Sequence, residues 1–428
     1  MFNPEQKYKV AVIGSGISGI SSAWFLSQKH DVTLFEKNAK LGGHTNTLDI
    51  EVDGEATSVD TGFIVYNEPN YPLLTAMFKH LDIETYPTDM SFAVSIDHGR
   101  LEYAGNNLNT LFAQRKNLFS PKHWRMIFDI LRFNKQGKAD LQQGLNPELT
   151  LGDYLEQNGF GLDMQQDYLL PMAAAIWSCP TETMLKFPAN SFLQFFSNHG
   201  LLNVNDRPQW QTVVKGARRY LNAITQLNQF KVIKQGITDV MLGSTADSPV
   251  RLISADGESH EFDQVVFACH GDEAYALLKN QGFELLRHFQ YQYNQAWLHT
   301  DVSQMPKKRS AWASWNYLSG KNREAERAVA VTYWMNKLQP LGITQDVFVT
   351  LNPVTEPQAD KVIEKIDYHH PVFDRGAIQA QADLHRIQGQ KNCWFAGAYT
   401  GYGFHEDGLA SAANIAEMWQ IPLPWEPK

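Results

Sequence analysis

The chain has 428 residues, 43% of them hydrophobic and 19% charged, an ordinary globular composition with length enough for two or more domains. A net charge of −9 gives no general electrostatic case for nucleic acid, and no apolar stretch reaches the length of a membrane span. The polar start (Asn3, Glu5, Gln6, Lys7) is not that of a signal peptide, and Cys179, Cys269 and Cys393 lie far apart without metal-like spacing, so free thiols in a reducing cytoplasm and no metal are expected.

The first predicted element is a buried parallel strand through Val10, Val12 and Ile13. Gly14-Ser15-Gly16-Ile17-Ser18-Gly19 follows, three glycines at G-x-G-x-x-G spacing, and then Ile17, Ile20, Ser21, Trp24 and Phe25 recur at helical spacing. A second strand, Val32 to Phe35, ends in Glu36. Strand, glycine turn, helix, strand and acid together form a dinucleotide-binding signature. Gly14 makes the turn, Gly16 lets backbone approach a pyrophosphate, and Gly19 lets the helix pack on the strand. The N–H groups of Ser15, Ile17 and Ser18 and the helix dipole suit phosphates. Glu36 suits a ribose diol, and an acid there argues against the 2′-phosphate of NADP.

Lys37 to His44 carries a second glycine pair, Gly42-Gly43, more than a plain NAD domain needs. A strand is predicted over 51–59, leading to Asp60-Thr61-Gly62-Phe63, then a helix of a second domain over 67–86, then strands from Ser91 to Tyr103. Pro121 to Asn134 reads as an amphipathic helix capped by Ser120, with Trp124, Ile127, Phe128 and Leu131 on one face, widened by Met126, Ile130 and Phe133. Lys122, Arg125, Arg132, Lys135 and Lys138 oppose Asp129 alone there. Two readings stay open: an interfacial helix on anionic lipid, over residues 121–138, and a surface helix whose apolar face packs on its own domain.

Helices are next predicted from Leu151 and over Tyr168 to Trp177, where Met172 and Trp177 beside small residues form either a cavity wall or plain core. Short strands and turns fill 231–268, with a hairpin at Ala255-Asp256-Gly257 and a strand from Phe262 to Cys269. Trp297 to Asp301, Val329 to Trp334 and Val347 to Leu351 read as strands of one sheet. Trp312, Trp315, Tyr317, Tyr333 and Trp334 fit a cavity ceiling or a packed sheet. The closing stretch, Cys393-Trp394-Phe395-Ala396-Gly397-Ala398 onward to Ala413, is a strand, a close-approach glycine, a loop and a helix from about Asp407.

The acid followed by Gly42-Gly43, together with this closing motif, resembles the two ends of the flavin amine oxidase and phytoene desaturase superfamily. The resemblance implies an α/β fold, a Rossmann-like FAD-binding domain (1–75, 210–275, 385–428) interleaved with an α+β substrate domain (76–209, 276–384). It implies non-covalent FAD held also by Lys37, Gly42, Gly43, His44 (an arginine in relatives), Thr61, Gly62, Ile237, Gly397, Ala398, His405, Asp407, Gly408 and Leu409. Ala398 replaces an acid that holds the ribityl chain in relatives. With no second dinucleotide unit, the expected electron acceptor is oxygen, a quinone or a protein carrier. The segment matching the strand that carries a lysine near flavin N5 in amine oxidases, Tyr291 to Asp301, holds none.

Asn70-Tyr71-Pro72, Asp89 to Phe92 and Gly401 to Gly408 resemble a bacterial branch encoded beside cyclopropane fatty acid synthase-like methyltransferases, which includes a desaturase of methylated phospholipid acyl chains. The resemblance therefore implies dehydrogenation of an apolar or lipid substrate by hydride transfer to flavin N5. Amine oxidation, redox-neutral flavin isomerisation and a non-catalytic flavin-binding role are the alternatives. Candidate proton-handling residues are His405, Glu406, His299 and Tyr333. The expected location is the cytoplasm, with peripheral contact on the inner face of the membrane.

Overall fold

The structure, a computed structural model, describes residues 2–105, 107–177, 181–203, 208–243, 248–321 and 327–426. Cys179 lies outside these residues; Cys269 and Cys393 are both free.

The apolar run at the start forms the middle strand of a five-stranded parallel sheet. Across it run Lys231–Ile233, Asp31–Phe35, Lys9–Ile13, Gln264–Phe267 and Cys393–Phe395. Sequence-distant strands thus meet edge to edge, which is what an interleaved chain requires. The helices Ile17–Ser27 and His405–Met418 pack on this sheet and on each other. The contact is close because Gly19 and Gly408 carry no Cβ: one on Gly19 would lie 1.8 Å from the Gly14 carbonyl oxygen, and one on Gly408 2.7 Å from the Ile17 side chain. A three-stranded antiparallel sheet, Ile237–Met241, Val250–Ser254 and Ser259–Phe262, sits beside it, turning at Gly257 (φ +85°).

The second layer system is a seven-stranded mixed sheet, in order Val362–Pro371, Tyr291–His299, Phe348–Leu351, Arg327–Trp334, Trp315–Lys321, Phe92–Ile96 and Leu101–Ala104. Helices from 121 to 198 enclose a separate apolar core with Met126, Phe133, Tyr154, Phe192 and Phe196.

Three predicted elements need correction. The strand over 51–59 is a hairpin, Thr47–Val52 with Glu55–Asp60, because Asp53 (φ 51°) and Gly54 (φ 80°) turn the chain between them. The helix over 67–86 runs only from Pro72 to His80, since Pro72 starts it and Asp82 (φ 52°) lies past its end. That helix packs Leu74, Met77 and Phe78 into the core beside the parallel sheet, not into the second domain. The basic helix extends from Pro121 to Gln143 and stops at Gly144 (φ 85°). In it Met126 and Phe133 face the core and Ile130 packs partly against it, so these residues do not widen the Trp124–Phe128–Leu131 stripe, which is exposed.

Candidate functional site

One cavity of about 1120 Å³ runs from the glycine turn into the second core. A ligand pocket commonly holds roughly 300–1,000 Å³, so this one has room for a dinucleotide and a second molecule.

Its first end is built by the parallel sheet. Gly14, Ser15, Gly16, Ile17 and Ser18 line it, and a Cβ on Gly16 would meet no heavy atom within 4 Å. The helix that follows has no side-chain cap and no acid in its first turn, so its leading N–H groups and positive dipole end face the cavity without an internal anion. Glu36 lies at the tip of the second strand and lines the cavity; it accepts from the Ser15 N–H (3.0 Å), the Ser15 hydroxyl (2.6 Å) and the Asn38 N–H (2.8 Å). Lys37, Gly43, His44, Thr61, Gly62, Ile237, Gly397, Ala398 and His405 also line it.

Gly19, Gly42, Asp407, Gly408 and Leu409 do not. Gly19 and Gly408 set helix packing, and Leu409 is core. A Cβ on Gly42 would strike the Thr45 carbonyl oxygen at 2.6 Å, so that glycine shapes the loop. Asp407 accepts from the Phe404 N–H (2.8 Å) and fixes the start of its own helix. Burial pushes its carboxyl up to about 6.

The second end is apolar. Tyr168, Met172, Ile176, Trp177, Phe195, His199 and Leu201 line it from the helical side, with neither carboxylate, lysine nor arginine among them, and Trp210 joins them from a short strand. Phe92, Trp315, Tyr333, Val349 and Leu351 line it from the sheet. Of the expected aromatic ceiling only Trp315 and Tyr333 take part, edge to face at 5.0 Å. Trp312 and Trp334 stack instead under the Arg309 guanidinium, and Tyr317 is buried in the helical core. The only lysines lining the whole cavity among the described residues are Lys37 and Lys40, beyond the second strand.

The four proton-handling candidates separate. Glu406 is not on the cavity: its carboxylate accepts from the N–H groups of Leu73 (2.7 Å) and Leu74 (3.0 Å), capping the neighbouring helix. Burial pushes it up to about 7. His299 is also elsewhere, fully buried, its Nε2 on the Thr350 hydroxyl at 2.7 Å and its Nδ1 accepting from the Asp301 N–H at 3.0 Å. His405 lines the cavity, but its Nε2 bonds the hydroxyls of Thr45 (3.0 Å) and Tyr220 (2.9 Å), and its ring stacks on Phe63 at 3.9 Å. Burial lowers it to about 3, so it is a neutral anchor between two segments rather than a proton carrier. Tyr333 alone presents its side chain to the apolar end; burial raises its hydroxyl above the ordinary range.

Tyr368, His370 and His270, which no motif in the sequence singles out, also line the cavity beside His44. His44 stacks on Tyr368 (4.8 Å) and neighbours His370 (5.3 Å) and His270 (6.4 Å), and all four rings line the cavity. Burial first, and then the other histidines, hold His44 well below its usual pKa. His270 follows a parallel strand at its carboxyl end, the usual ligand edge of such sheets, and that position is the signal that could have found it.

The fit to a flavin dinucleotide can be tested on unpaired polar atoms. His44 Nε2, the Tyr399 hydroxyl, Trp177 Nε1 and Trp315 Nε1 are buried without a protein partner among the described residues, and all four residues border the cavity. Buried polar atoms are normally paired, so a polar ligand at the dinucleotide end would complete His44, while the two indole N–H groups lie at the apolar end. The bare glycine cradle and the cavity volume agree.

Residues 12–81 match the NAD(P)-binding Rossmann-like domain family. A 93-residue stretch is 33% identical to 4,4'-diapophytoene desaturase (4,4'-diaponeurosporene-forming) of Staphylococcus aureus (strain Newman), covering 21% of this chain and 18% of that protein. The match therefore spans under a fifth of that relative's length. The whole chain superposes on a CLA-producing fatty acid isomerase from P. acnes (TM-score 0.68, 14% identity, 98% and 99% of the two chains). It also superposes on cyclohexylamine oxidase from Brevibacterium oxydans IH-35A (TM-score 0.62, 14% identity, 97% and 100%). At such identities the likeness is one of fold. The chain shares the overall fold of these two proteins.

Proposed function

We propose that this chain, built on that fold, is an FAD-dependent oxidoreductase that dehydrogenates an apolar chain, a phospholipid acyl group being the substrate class that fits best. The observation that carries the reading is the continuity of one cavity from a dinucleotide cradle into an apolar chamber with no lysine or acid on its helical wall. The glycine turn, Glu36 and His44 would hold FAD non-covalently. When bound, FAD would supply a two-electron acceptor for a hydride leaving carbon.

The chain's own residues do the rest. Met172, Ile176 and Phe195 exclude water and position a flexible apolar substrate, which lowers the entropic part of the barrier. Tyr333 and Trp315 set the opposite wall, and a proton leaving the neighbouring carbon would pass outward to solvent by way of the Tyr333 hydroxyl, which releases its own proton as it takes the new one. His405 fixes Thr45 and Tyr220 where three segments meet. Oxygen, a quinone or a protein carrier would take the electrons onward.

A redox-neutral isomerase is the second reading, supported by the same chamber and by the fold of the fatty acid isomerase. Amine oxidation is supported less, because the lysines lining the cavity, Lys37 and Lys40, sit at its dinucleotide end. Anaerobic mixing separates the readings. Lipid that bleaches bound flavin supports dehydrogenation. Lipid converted without net bleaching supports isomerisation. Bleaching by amines alone supports an amine oxidase, and no response to any of them supports a non-catalytic flavoprotein.

A further inference from the structure

Seven of the fourteen large hydrophobic side chains exposed among the described residues fall between residues 108 and 162. They gather around the helix Pro121–Gln143. Phe128 is 64% exposed, and Trp124 and Leu131 share its side of the helix. The Trp124 indole N–H donates to the Leu118 carbonyl (2.9 Å), which puts Phe119, 88% exposed, against the helix start. The Gly161 N–H donates to Asp129, and Asp163 pairs with Lys122 and Arg125, so Leu162, 67% exposed, stands beside the same stripe. His123, Met126, Phe133 and Gly137 already pack the opposite side into the core. The exposed stripe is therefore surplus to folding.

Charge is arranged around it. Between residues 115 and 138 the chain carries Arg115, Lys116, Lys122, Arg125, Arg132, Lys135 and Lys138 against Asp129, within a chain of net charge −9. Asp163 and Asp167 engage Lys122 and Arg125, and Asp129 engages Arg132. Arg115, Lys116, Lys135 and Lys138 make no ion pair among the described residues. Aromatic and aliphatic side chains ringed by unpaired cations complement a bilayer surface with anionic headgroups.

We infer that this face docks the protein on an anionic lipid bilayer, lying in the interface rather than crossing it. No helix among the described residues is long and apolar enough to cross a membrane. The face also has a short route to the cavity. Lys122 reaches Asp167 (3.7 Å) on the π-helical turn Gln165–Leu169, and the next residue, Tyr168, lines the apolar chamber. A lipid held at this face would meet the chamber wall one turn away.

The test is sedimentation of the purified full chain with vesicles of phosphatidylcholine, with and without phosphatidylglycerol. Wild type should pellet with the anionic vesicles and weaken as salt rises. Phe119→Ser with Phe128→Ser, and separately Arg125→Glu with Lys135→Glu, should each lower the bound fraction by about tenfold. Met418→Ser, exposed outside this face, should bind like wild type. Thermal melts of each variant show whether it folds. Failure of wild type to bind anionic vesicles at low salt overturns the inference. So does binding by folded patch variants at the wild-type level, or concentration-dependent self-association that the patch variants abolish, which assigns the face to a second copy. The readout needs neither bound FAD nor turnover, so its failure leaves the proposed chemistry standing.

Discussion

The two ends of the cavity are built on opposite terms. At the dinucleotide end the glycine turn is fixed by backbone: Gly14 (φ 100°), the bare Gly16, and behind them a Gly19 whose missing Cβ leaves room for a carbonyl. At the apolar end the wall is side chains from separate helices and strands, held by packing, with Tyr333 as its free hydroxyl. Backbone-determined sites tolerate no substitution but demand particular residue types; packed walls accept many residues of similar volume. The difference explains how one fold can keep its cofactor and change its substrate.

Substitutions can break that contrast. The largest expected effect is Gly19→Ala: the new methyl meets backbone at 1.8 Å, and a loss of roughly 3 kcal/mol is expected in chemical denaturation, with loss of bound FAD. Gly16→Ala should separate fold from ligand. Its methyl enters open space, so the melting temperature of the FAD-free protein should hold, while FAD affinity measured by fluorescence falls about tenfold or more, roughly 1.4 kcal/mol. Equal affinity would remove Gly16 from the cradle.

Glu406→Ala comes next. It deletes a carboxylate that accepts two helix N–H groups, so a loss of about 1 kcal/mol in stability is expected, with the rate of flavin reduction unchanged in stopped flow. A rate loss without a stability loss would restore Glu406 to the chemistry. Acid should act through His405. Held neutral with its pKa lowered to about 3, it contributes stability that is full above its unfolded pKa of 6.5 and is lost as pH falls through the window toward 3. Melting curves across that window should show a shallower slope for His405→Gln than for wild type. The smallest change in the fold is expected from Tyr333→Phe, which keeps the packing against Trp315 and removes only the hydroxyl. Stability should shift by less than about 0.5 kcal/mol while substrate-driven flavin reduction slows.

The same contrast decides what could be read from the amino acids. The glycine turn, the parallel strands around it and the closing strand–glycine–helix are visible because few other residues can adopt those conformations. The chamber was visible only as apolar periodicity: Met172 and Trp177 suit a wall or a core equally until the helix is placed. Glu406 and His299 looked chemical because residue type was visible and direction was not; one caps a helix and the other ties a loop within its sheet. The histidines around His44, His270 and His370, come from two distant segments, and only tertiary structure brings them together.

The central claim is that FAD in this cavity serves an apolar substrate. Anaerobic titration of the FAD-loaded protein with phospholipid bearing methylated acyl chains, followed by flavin absorbance, tests it most directly. Bleaching in proportion to lipid is expected, with colour returning when an electron acceptor is admitted and a new carbon–carbon double bond in the recovered lipid. Bleaching by amines with lipid inert, or an unchanged flavin spectrum with both, would contradict it.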